Sequence, residues 1–481
     1  MADMSGPASL TACQEETPAR HDPTRPSGFA GLLARWHESR LLRPRIISLG
    51  HLLSGSMGGA ILMLVTLGIA ARALGPRDFG TFAIVLTVAR TCERLLRFES
   101  WQPLIRFVTA EEGTASPERL ASLYAYGAML DFVSALGAAL LSIAAALVLG
   151  PLIGLAAEHR YLVAIYAPAI AGNLRGMSSA ALRLAGHFRT LAYVQMAAFL
   201  LRFALAGLLY LLGRGLPEFV LAWTVSQLFD AALFNALGLR TLRQGGIPAP
   251  WQADLGNLRN RFPGFLRFAV STNLSSGLRT LTHEMDTLLV SAFVGPSAVG
   301  IYYLSRRVAK VVQTAGDLLQ TVIYPDLARL WSQASRKAVR RLVIVLQLTL
   351  GAIGLLALAL CWLLGKPALD LLFGQDFAGS FPMLLAQLLA IMLLIHSSPA
   401  RSALLAMNHP TFVLSCSVLA TIGFFASAAI LLPLYGAIGA NFAHVVFGLI
   451  MALLLDMALH IRLHRSRTAT LPTAPIEDSA Q

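Results

Sequence analysis

Closely spaced cations are the residues of this sequence with the most recognisable chemistry. In two apolar stretches, charged side chains recur at intervals of three and four residues, which places them on one face of a helix. The two sets are Arg90, Glu93, Arg94 and Arg97, and Arg306, Arg307 and Lys310. Arginine binds phosphate well because its planar guanidinium donates two parallel hydrogen bonds and is weakly hydrated. The spacing therefore indicates a site for an anion such as phosphate.

A third apolar stretch adds another cation, Arg279, followed by His283, Glu284 and Asp286. Buried positive charge in excess of negative charge is unfavourable unless water or a bound anion compensates it. The cations of the three stretches, which we predict to bind substrate, are Arg90, Arg94, Arg97, Arg279, Arg306, Arg307 and Lys310. The carboxylates on the same faces are Glu93, Glu99, Glu284, Asp286 and Asp317.

These carboxylates leave two interpretations open. Glu93, Glu284 and Asp286 are candidates for coupling transport to an ion. The alternative is that the charged groups form ion pairs that only lock helices together, for example Lys310 with Asp317. Arg202 and Asp230 lie near the middle of adjacent apolar stretches, and we predict a structural salt bridge between them.

The sequence predicts neither a metal site nor a cofactor. Its four cysteines, Cys13, Cys92, Cys361 and Cys416, lack the spacing of metal ligands or of a disulfide framework. Asp131 is isolated among apolar residues, where neighbouring hydroxyl groups or water could satisfy it.

The chain around these charges is strongly apolar: 56% of its 481 residues are hydrophobic and 13% are charged. Soluble proteins carry about 25% charged residues, and disordered chains combine low hydrophobicity with high charge, so both classes are excluded. A membrane-spanning helix needs about 20 apolar residues, and each span must satisfy its backbone hydrogen bonds internally. We therefore predict an all-α polytopic membrane protein with 12 transmembrane helices. The predicted spans are 46–71, 79–105, 120–149, 156–174, 190–212, 217–239, 264–293, 299–323, 342–364, 380–400, 411–432 and 437–459.

The basic residues also predict the orientation of these spans. Of the 38 lysines and arginines, 24 fall on the side that holds both termini. The opposite side holds Arg72, Arg77, Arg160, Arg214 and Lys366. Cytoplasmic loops are enriched in Lys and Arg, so we expect both termini in the cytoplasm. This topology accounts for the net charge of +13, which therefore does not indicate a nucleic-acid partner.

The sequence resembles itself after a shift of about 220 positions. Residues 74–80 align with 294–300, each with a Gly-Pro pair, and Gly186-His187 resembles Asn408-His409. Two repeats of six spans with the same orientation would place a substrate site between them. The predicted parts are a cytoplasmic tail (1–45), an N-terminal six-helix lobe (46–239), a cytoplasmic linker (240–263), a C-terminal six-helix lobe (264–460) and a cytoplasmic tail (461–481).

Short motifs distributed over residues 46–460 resemble those of the polysaccharide transporter (Wzx-type) family of lipid-linked oligosaccharide flippases. They are ALGPRDFGTFA at 73–83, DTLLV at 286–290, GPSAVGIY at 295–302, YPDLARL at 324–330, LFGQDF at 372–377 and YGAIGA at 435–440. The resemblance implies a superfamily that also holds multidrug exporters and lipid II flippases. It implies two six-helix lobes around a central cavity lined by the first, second, seventh and eighth helices.

The resemblance also implies a function, which is not that of an enzyme. Members move an undecaprenyl-pyrophosphate-linked oligosaccharide across the bacterial inner membrane for O-antigen, capsule or exopolysaccharide synthesis, using ion gradients. Expected partners are this lipid-linked oligosaccharide, membrane lipids, and polysaccharide polymerase and export proteins. Two alternatives on the same scaffold are a multidrug cation antiporter and a lipid II flippase. An antiporter for organic cations requires an acidic and aromatic site, which the excess of arginine disfavours.

Overall fold

The regular structure of the described residues is entirely helical. The computed structural model describes residues 43–98, 100–111, 113, 115–332 and 336–465. The chain divides into two units, Met1–His51, of which the helical residues 43–51 are described, and Leu52–Gln481, to which all side-chain contacts below belong. The α-helices of the described residues are α1 Arg43–Leu96, α2 Trp101–Glu111, α3 Pro117–Leu149, α4 Tyr161–Ala171, α5 Gly176–Leu184, α6 Phe188–Leu211, α7 Leu216–Gln244, α8 Leu258–Arg261, α9 Phe265–Val294, α10 Pro296–Ser332, α11 Arg336–Phe373, α12 Ser380–Ala406, α13 Pro410–Tyr435 and α14 Ala437–Arg465.

The length and composition of the helices confirm a polytopic membrane protein. Within the described part of the chain, eight helical stretches are long and apolar enough to cross a membrane. They are Gly58–Glu111, Pro117–Leu149, Phe188–Leu211, Leu216–Gln244, Arg336–Phe373, Ser380–Ala406, Pro410–Tyr435 and Ala437–Leu463. Large apolar side chains cover their outer faces, such as Val148, Leu211 and Leu371, which are more than two-thirds exposed. This surface is expected of helices that face lipid rather than water.

Two of the predicted spans are not continuous helices. The span predicted at 79–105 ends at Leu96, and the chain becomes helical again in α2. The span predicted at 156–174 is helical over α4 only, after a short 3₁₀ turn at Ala157–His159, and α5 follows after a second break. The prediction of an uninterrupted span is therefore wrong after Leu96, whereas the break before α5 lies at the predicted end of the fourth span.

Side chains of α3 explain the first break. Ser134 Oγ accepts a hydrogen bond from the Phe98 backbone N–H at 3.1 Å, and Asp131 Oδ1 accepts one from Ser100 N–H at 3.0 Å. These bonds satisfy backbone groups that a helix would otherwise bond internally, and buried backbone groups require such partners.

The two Gly-Pro motifs of the predicted repeat have the same backbone conformation. Gly75 has φ 68° and ψ 174°, and Gly295 has φ 101° and ψ 176°, a region that favours glycine. Gly80 and Gly300 follow one turn into the next helical segments. A Cβ on Gly80 would overlap the carbonyl oxygen of Pro296, and a Cβ on Gly300 would lie 2.5 Å from that of Pro76. The backbones of α1 and α10 therefore touch, because neither glycine carries a side chain.

Aromatic side chains pack around this contact between the two halves of the chain. Phe79 lies 5.9 Å from Phe82, 6.2 Å from Tyr303 and 5.8 Å from Phe377, measured between ring centroids, and all four rings are buried. Aromatic pairs at these distances stabilise a core beyond their burial alone. The predicted cations lie further along the same two helices, since Arg94 is about 20 Å from Gly80 at 1.5 Å per helical residue.

Candidate functional site

A cavity of about 790 Å³ lies between the helices of the N-terminal half and α10. Its volume is in the range of sites that bind small molecules and head groups. Among the described residues, its lining has six cations and one carboxylate. The cations are Arg94, Arg97, Arg175, Arg183, Arg307 and Lys310, and the carboxylate is Glu93. This excess of positive charge favours an anionic ligand.

The cavity contains some of the cations predicted to bind substrate and not others. Arg94, Arg97, Arg307 and Lys310 line it, together with Glu93. Arg90 instead donates a hydrogen bond to Tyr303 Oη at 3.1 Å and is not part of the described lining. Of the two cations that the repeat pairs with each other, Arg90 and Lys310, the structure brings only Lys310 to the cavity.

Arg306 and Asp286 form a separate cluster away from the described lining of the cavity. Asp286 is completely buried and accepts hydrogen bonds from Arg306 Nη1 at 2.5 Å and from Tyr302 Oη at 3.0 Å. His444 Nε2 lies 2.6 Å from its second oxygen. The cluster joins α9, α10 and α14. This geometry corresponds to the second interpretation of the carboxylates, in which charged groups form ion pairs that lock helices together.

The remaining predicted residues have a different status. Glu284 is half-buried and does not belong to the described lining. Arg279, Glu99 and Asp317 lie outside the residues whose side chains the structure describes. Ion coupling through Glu93, Glu284 or Asp286 stays a prediction.

Glu93 connects two helices at the cavity wall. It pairs with Arg97, four residues further along α1, and accepts a hydrogen bond from Asn173 Nδ2 at 2.7 Å. Arg175, two residues beyond Asn173, forms an ion pair with Asp230 of α7. Two arginines of the cavity wall, Arg97 and Arg175, are thus paired with specific carboxylates.

Sequence reasoning missed two of the cavity cations, Arg175 and Arg183. The sequence predicts that both lie in a cytoplasmic connection, because the predicted fourth span ends at 174. In the structure, the Arg183 guanidinium carbon lies 4.3 Å from the ring centroid of Trp101, and its Nε donates to Ser179 Oγ at 3.1 Å. The signal was present in the spacing, since Arg175, Ser179 and Arg183 recur every four residues and so share one helical face.

The predicted salt bridge between Arg202 and Asp230 is wrong. Arg202 donates to Ser226 Oγ at 2.8 Å and to Gln227 Oε1 at 3.3 Å, and it lies over the ring of Trp223. Asp230 is one helical turn beyond Ser226 on α7, which brings it to Arg175 instead. The two residues lie in adjacent helices, as predicted, but at different heights.

An all-helical polytopic membrane protein with a polar, cationic cavity between its helices has the construction of a membrane transporter. A family model described as "Polysaccharide biosynthesis protein" matches residues 69–382. The chain belongs to this family, and the resemblance to polysaccharide transporters predicted from the motifs is confirmed.

Two relatives are similar to the chain in sequence. The chain is 25% identical over 352 residues to the inner membrane protein YghQ of Escherichia coli (strain K12), which covers 73% of this chain and 99% of that protein. It is 26% identical over 326 residues to the succinoglycan biosynthesis transport protein ExoT of Rhizobium meliloti (strain 1021), which covers 67% of this chain and 61% of that protein.

Solved structures resemble the fold. The lipid II flippase MurJ in an inward closed conformation has a TM-score of 0.67 at 15% identity, over 86% of this chain and 88% of that one. An inward-facing multidrug resistance transporter of the MATE family, in the MOP superfamily, has a TM-score of 0.70 at 15% identity, over 85% and 96%. At this identity the similarity is one of fold.

Proposed function

We propose that this protein is a flippase that moves an undecaprenyl-pyrophosphate-linked oligosaccharide from the cytoplasmic to the periplasmic leaflet of the bacterial inner membrane. The glycan would be used for a surface polysaccharide. The observation that carries the proposal is the cavity lining, in which six described cations accompany one carboxylate. The family and the transport protein among the relatives support it. Arginine and lysine suit a pyrophosphate group, whereas a drug-cation site would need the opposite charge.

The proposed architecture has twelve spans in two repeats of six, with both termini in the cytoplasm. In that topology Arg175, Arg183 and Phe188 of the cavity lie toward the cytoplasmic face, and the contact between Gly80 and Gly300 lies toward the periplasmic face. Such an arrangement corresponds to a transporter open to the cytoplasm. Rocking of the two halves about the glycine contact, coupled to an ion gradient, would expose the cavity to the periplasm.

Neutral groups of the cavity lining suit the sugars of the proposed substrate. Aromatic rings and side-chain amides stand beside the cations: Trp101, Phe188, Phe199, Phe234, Asn173, Gln195 and Gln227. Rings of this kind stack on the apolar faces of sugars, and amides both donate and accept hydrogen bonds with hydroxyl groups. The polyprenyl tail would stay in the lipid.

The test is reconstitution of the protein in vesicles with a fluorescent undecaprenyl-pyrophosphate-linked sugar, followed by quenching from one side. Lys310→Glu, in the cavity, should slow translocation at least about tenfold, since it places like charge against the pyrophosphate. Lys366→Glu is the matched control, because Lys366 is exposed and lies outside the described cavity lining. Equal translocation by the Lys310→Glu and Lys366→Glu proteins would refute the assigned site.

A further inference from the structure

One carboxylate of α3 lies at the beginnings of two other helices. Asp131 is 3% exposed, and its Oδ2 accepts a hydrogen bond from Ser100 Oγ at 2.8 Å while its Oδ1 accepts from Ser100 N–H at 3.0 Å. Ser100 immediately precedes α2. The same carboxylate lies against the first residue of α5, because a Cβ on Gly176 would overlap Asp131 Oδ2. Asp131 therefore caps α2 and lies at the N-terminus of α5, and helix N-termini attract negative charge.

The three segments are packed so closely that a side chain would not fit between them. A Cβ on Gly176 would overlap both Asp131 Oδ2 and Ser100 Oγ and would lie 2.7 Å from Ser100 N. Glycine at the first position of α5 lets the N-termini of α2 and α5 approach the same carboxylate. The contact thus depends on a particular residue in each of three helices.

Three of the six described cations of the cavity lie at the two breaks or in the helix that follows the second one. Arg97 is the first residue of the first break and Trp101 lies just after it. Arg175 lies immediately before α5, and Arg183 lies within it. A helix that ran on without interruption would rotate by about 100° per residue and would carry the later side chains to other faces. The positions of these cations therefore depend on the breaks.

The C-terminal half has no such break in the corresponding helices. Helices α10 and α12 run continuously over Pro296–Ser332 and Ser380–Ala406. The repeat shift of about 220 positions places Asp131 on Gly351 of α11. A Cβ on Gly351 would lie 3.6 Å from Nδ1 of His396 in α12. In the N-terminal half, Asp131 thus faces a glycine, Gly176. In the C-terminal half the arrangement is reversed, and Gly351 faces His396.

We propose that Asp131 is a positioning residue for anion binding: by capping α2 and lying at the N-terminus of α5 it keeps the chain broken before both helices and holds Arg97, Arg175 and Arg183 on the cavity wall. The inference rests on the proposed function, because it takes the cavity cations to bind the pyrophosphate. Asp131 itself touches none of the substrate.

The experiment compares Asp131→Leu, Asp131→Asn and Ser142→Ala in the full-length protein in lipid nanodiscs. Ser142 is the matched control, a buried hydroxyl on the same helix that bonds only within α3, to Ala139 O. Hydrogen exchange is followed at 97–101 and 175–178, and binding of inorganic pyrophosphate is titrated. Asp131→Leu should raise exchange at both breaks and weaken pyrophosphate binding about tenfold, a change of about 1.4 kcal/mol. Asp131→Asn, which keeps one acceptor, should fall between Asp131→Leu and the wild type.

Other results would overturn the proposal. Wild-type affinity in the Asp131→Leu protein would show that the cations do not depend on the cap. Exchange raised uniformly over the protein would show a general loss of stability, and Asp131 would then be a structural residue only. If Asp131→Leu does not fold, Ser100→Ala removes one donor, and unchanged affinity together with unchanged exchange at 175–178 would refute the joint role of Asp131 at both helices. A wild-type protein that binds no pyrophosphate refutes the proposed function, and exchange alone then decides whether Asp131 holds both breaks.

Discussion

Substitution of Gly80 by alanine should push apart the two halves of the chain where they touch. The new Cβ would overlap the carbonyl oxygen of Pro296 and lie 2.6 Å from its carbonyl carbon and 3.1 Å from Gly300 N. Favourable contacts between heavy atoms begin at about 3.5 Å, so the backbones must separate by about 1.5 Å to relieve the overlap with the carbonyl oxygen. Overpacking of this kind costs about 1–3 kcal/mol. The upper end applies here, because backbone atoms in two helices have no rotamer by which to move aside.

The expected effect is a shift toward a state in which this contact is open. Each 1.4 kcal/mol is a factor of ten in an equilibrium, so a cost near 3 kcal/mol should make the Gly80→Ala substitution favour the separated state by about a hundredfold. Gly300→Ala should have a smaller effect, since its Cβ would lie 2.5 Å from the Pro76 oxygen, a less severe overlap than that at Gly80. In the proposed topology the contact closes the periplasmic side, so its opening should expose the cavity to the periplasm.

The assay uses one cysteine at the cavity wall, introduced as Ser179→Cys into a protein whose native cysteines have been replaced. A membrane-impermeant maleimide is added to intact cells, and labelling should be at least about fivefold faster with Gly80→Ala, within the range set by the overpacking cost. Gly207→Ala is the control, because a Cβ there meets nothing within 4 Å and alanine favours the helix. If Gly80→Ala leaves both the labelling rate and the unfolding temperature at wild-type values, the two backbones are not in contact and the reasoning is refuted.

Three further substitutions test the charged contacts. Arg72→Gln removes the guanidinium that donates to the last carbonyl groups of α11. The maleimide labelling of the cavity cysteine should become about fivefold faster, which corresponds to about 1 kcal/mol for an exposed contact. Arg77→Gln is the control and should leave the labelling rate unchanged. Asp286→Asn takes from partly buried Arg306 the buried carboxylate it is bonded to. The unfolding free energy should therefore fall by about 3 kcal/mol, the lower end for a broken buried pair, and restored stability in Asp286→Asn/Arg306→Met would identify the pair as the cause. Arg202→Met replaces a buried cation whose hydrogen-bond partners are uncharged, so the free energy of unfolding should change by less than about 1 kcal/mol. A loss of stability as large as that of Asp286→Asn would reveal a charged partner.

The sequence predicts the helical class because the signal for it is local. A run of apolar residues long enough to cross the bilayer must be helical wherever it lies in the fold. The Gly-Pro motifs are equally local, since Gly75 and Gly295 adopt a conformation that glycine allows and Pro76 and Pro296 begin the next helical segments. The family resemblance follows from motifs of this kind.

The breaks in the helices could not be predicted in the same way. Residues 97–100 contain no glycine or proline that would end a helix, and the bonds that interrupt the helix come from Asp131, 31 positions after Ser100 in sequence. The sequence also cannot show which residues of a helix face the cavity. Arg90 and Arg94 share one face, but Arg90 contacts Tyr303 whereas Arg94 lines the cavity. Only the packing of α1 against α10 distinguishes these two residues.

The two halves use buried carboxylates for different purposes, although their Gly-Pro motifs have the same conformation. In the N-terminal half, Asp131 bonds to the N-terminus of α2, lies against that of α5 and leaves the nearby arginines to the cavity wall. In the C-terminal half, Asp286 takes Arg306 as an ion-pair partner inside the core. A carboxylate bonded to backbone amides does not neutralise a cation, whereas one bonded to arginine does. The described lining of the cavity remains positively charged even though Arg97 pairs with Glu93 and Arg175 with Asp230, because six cations line it and Asp131 is not among the groups that neutralise them.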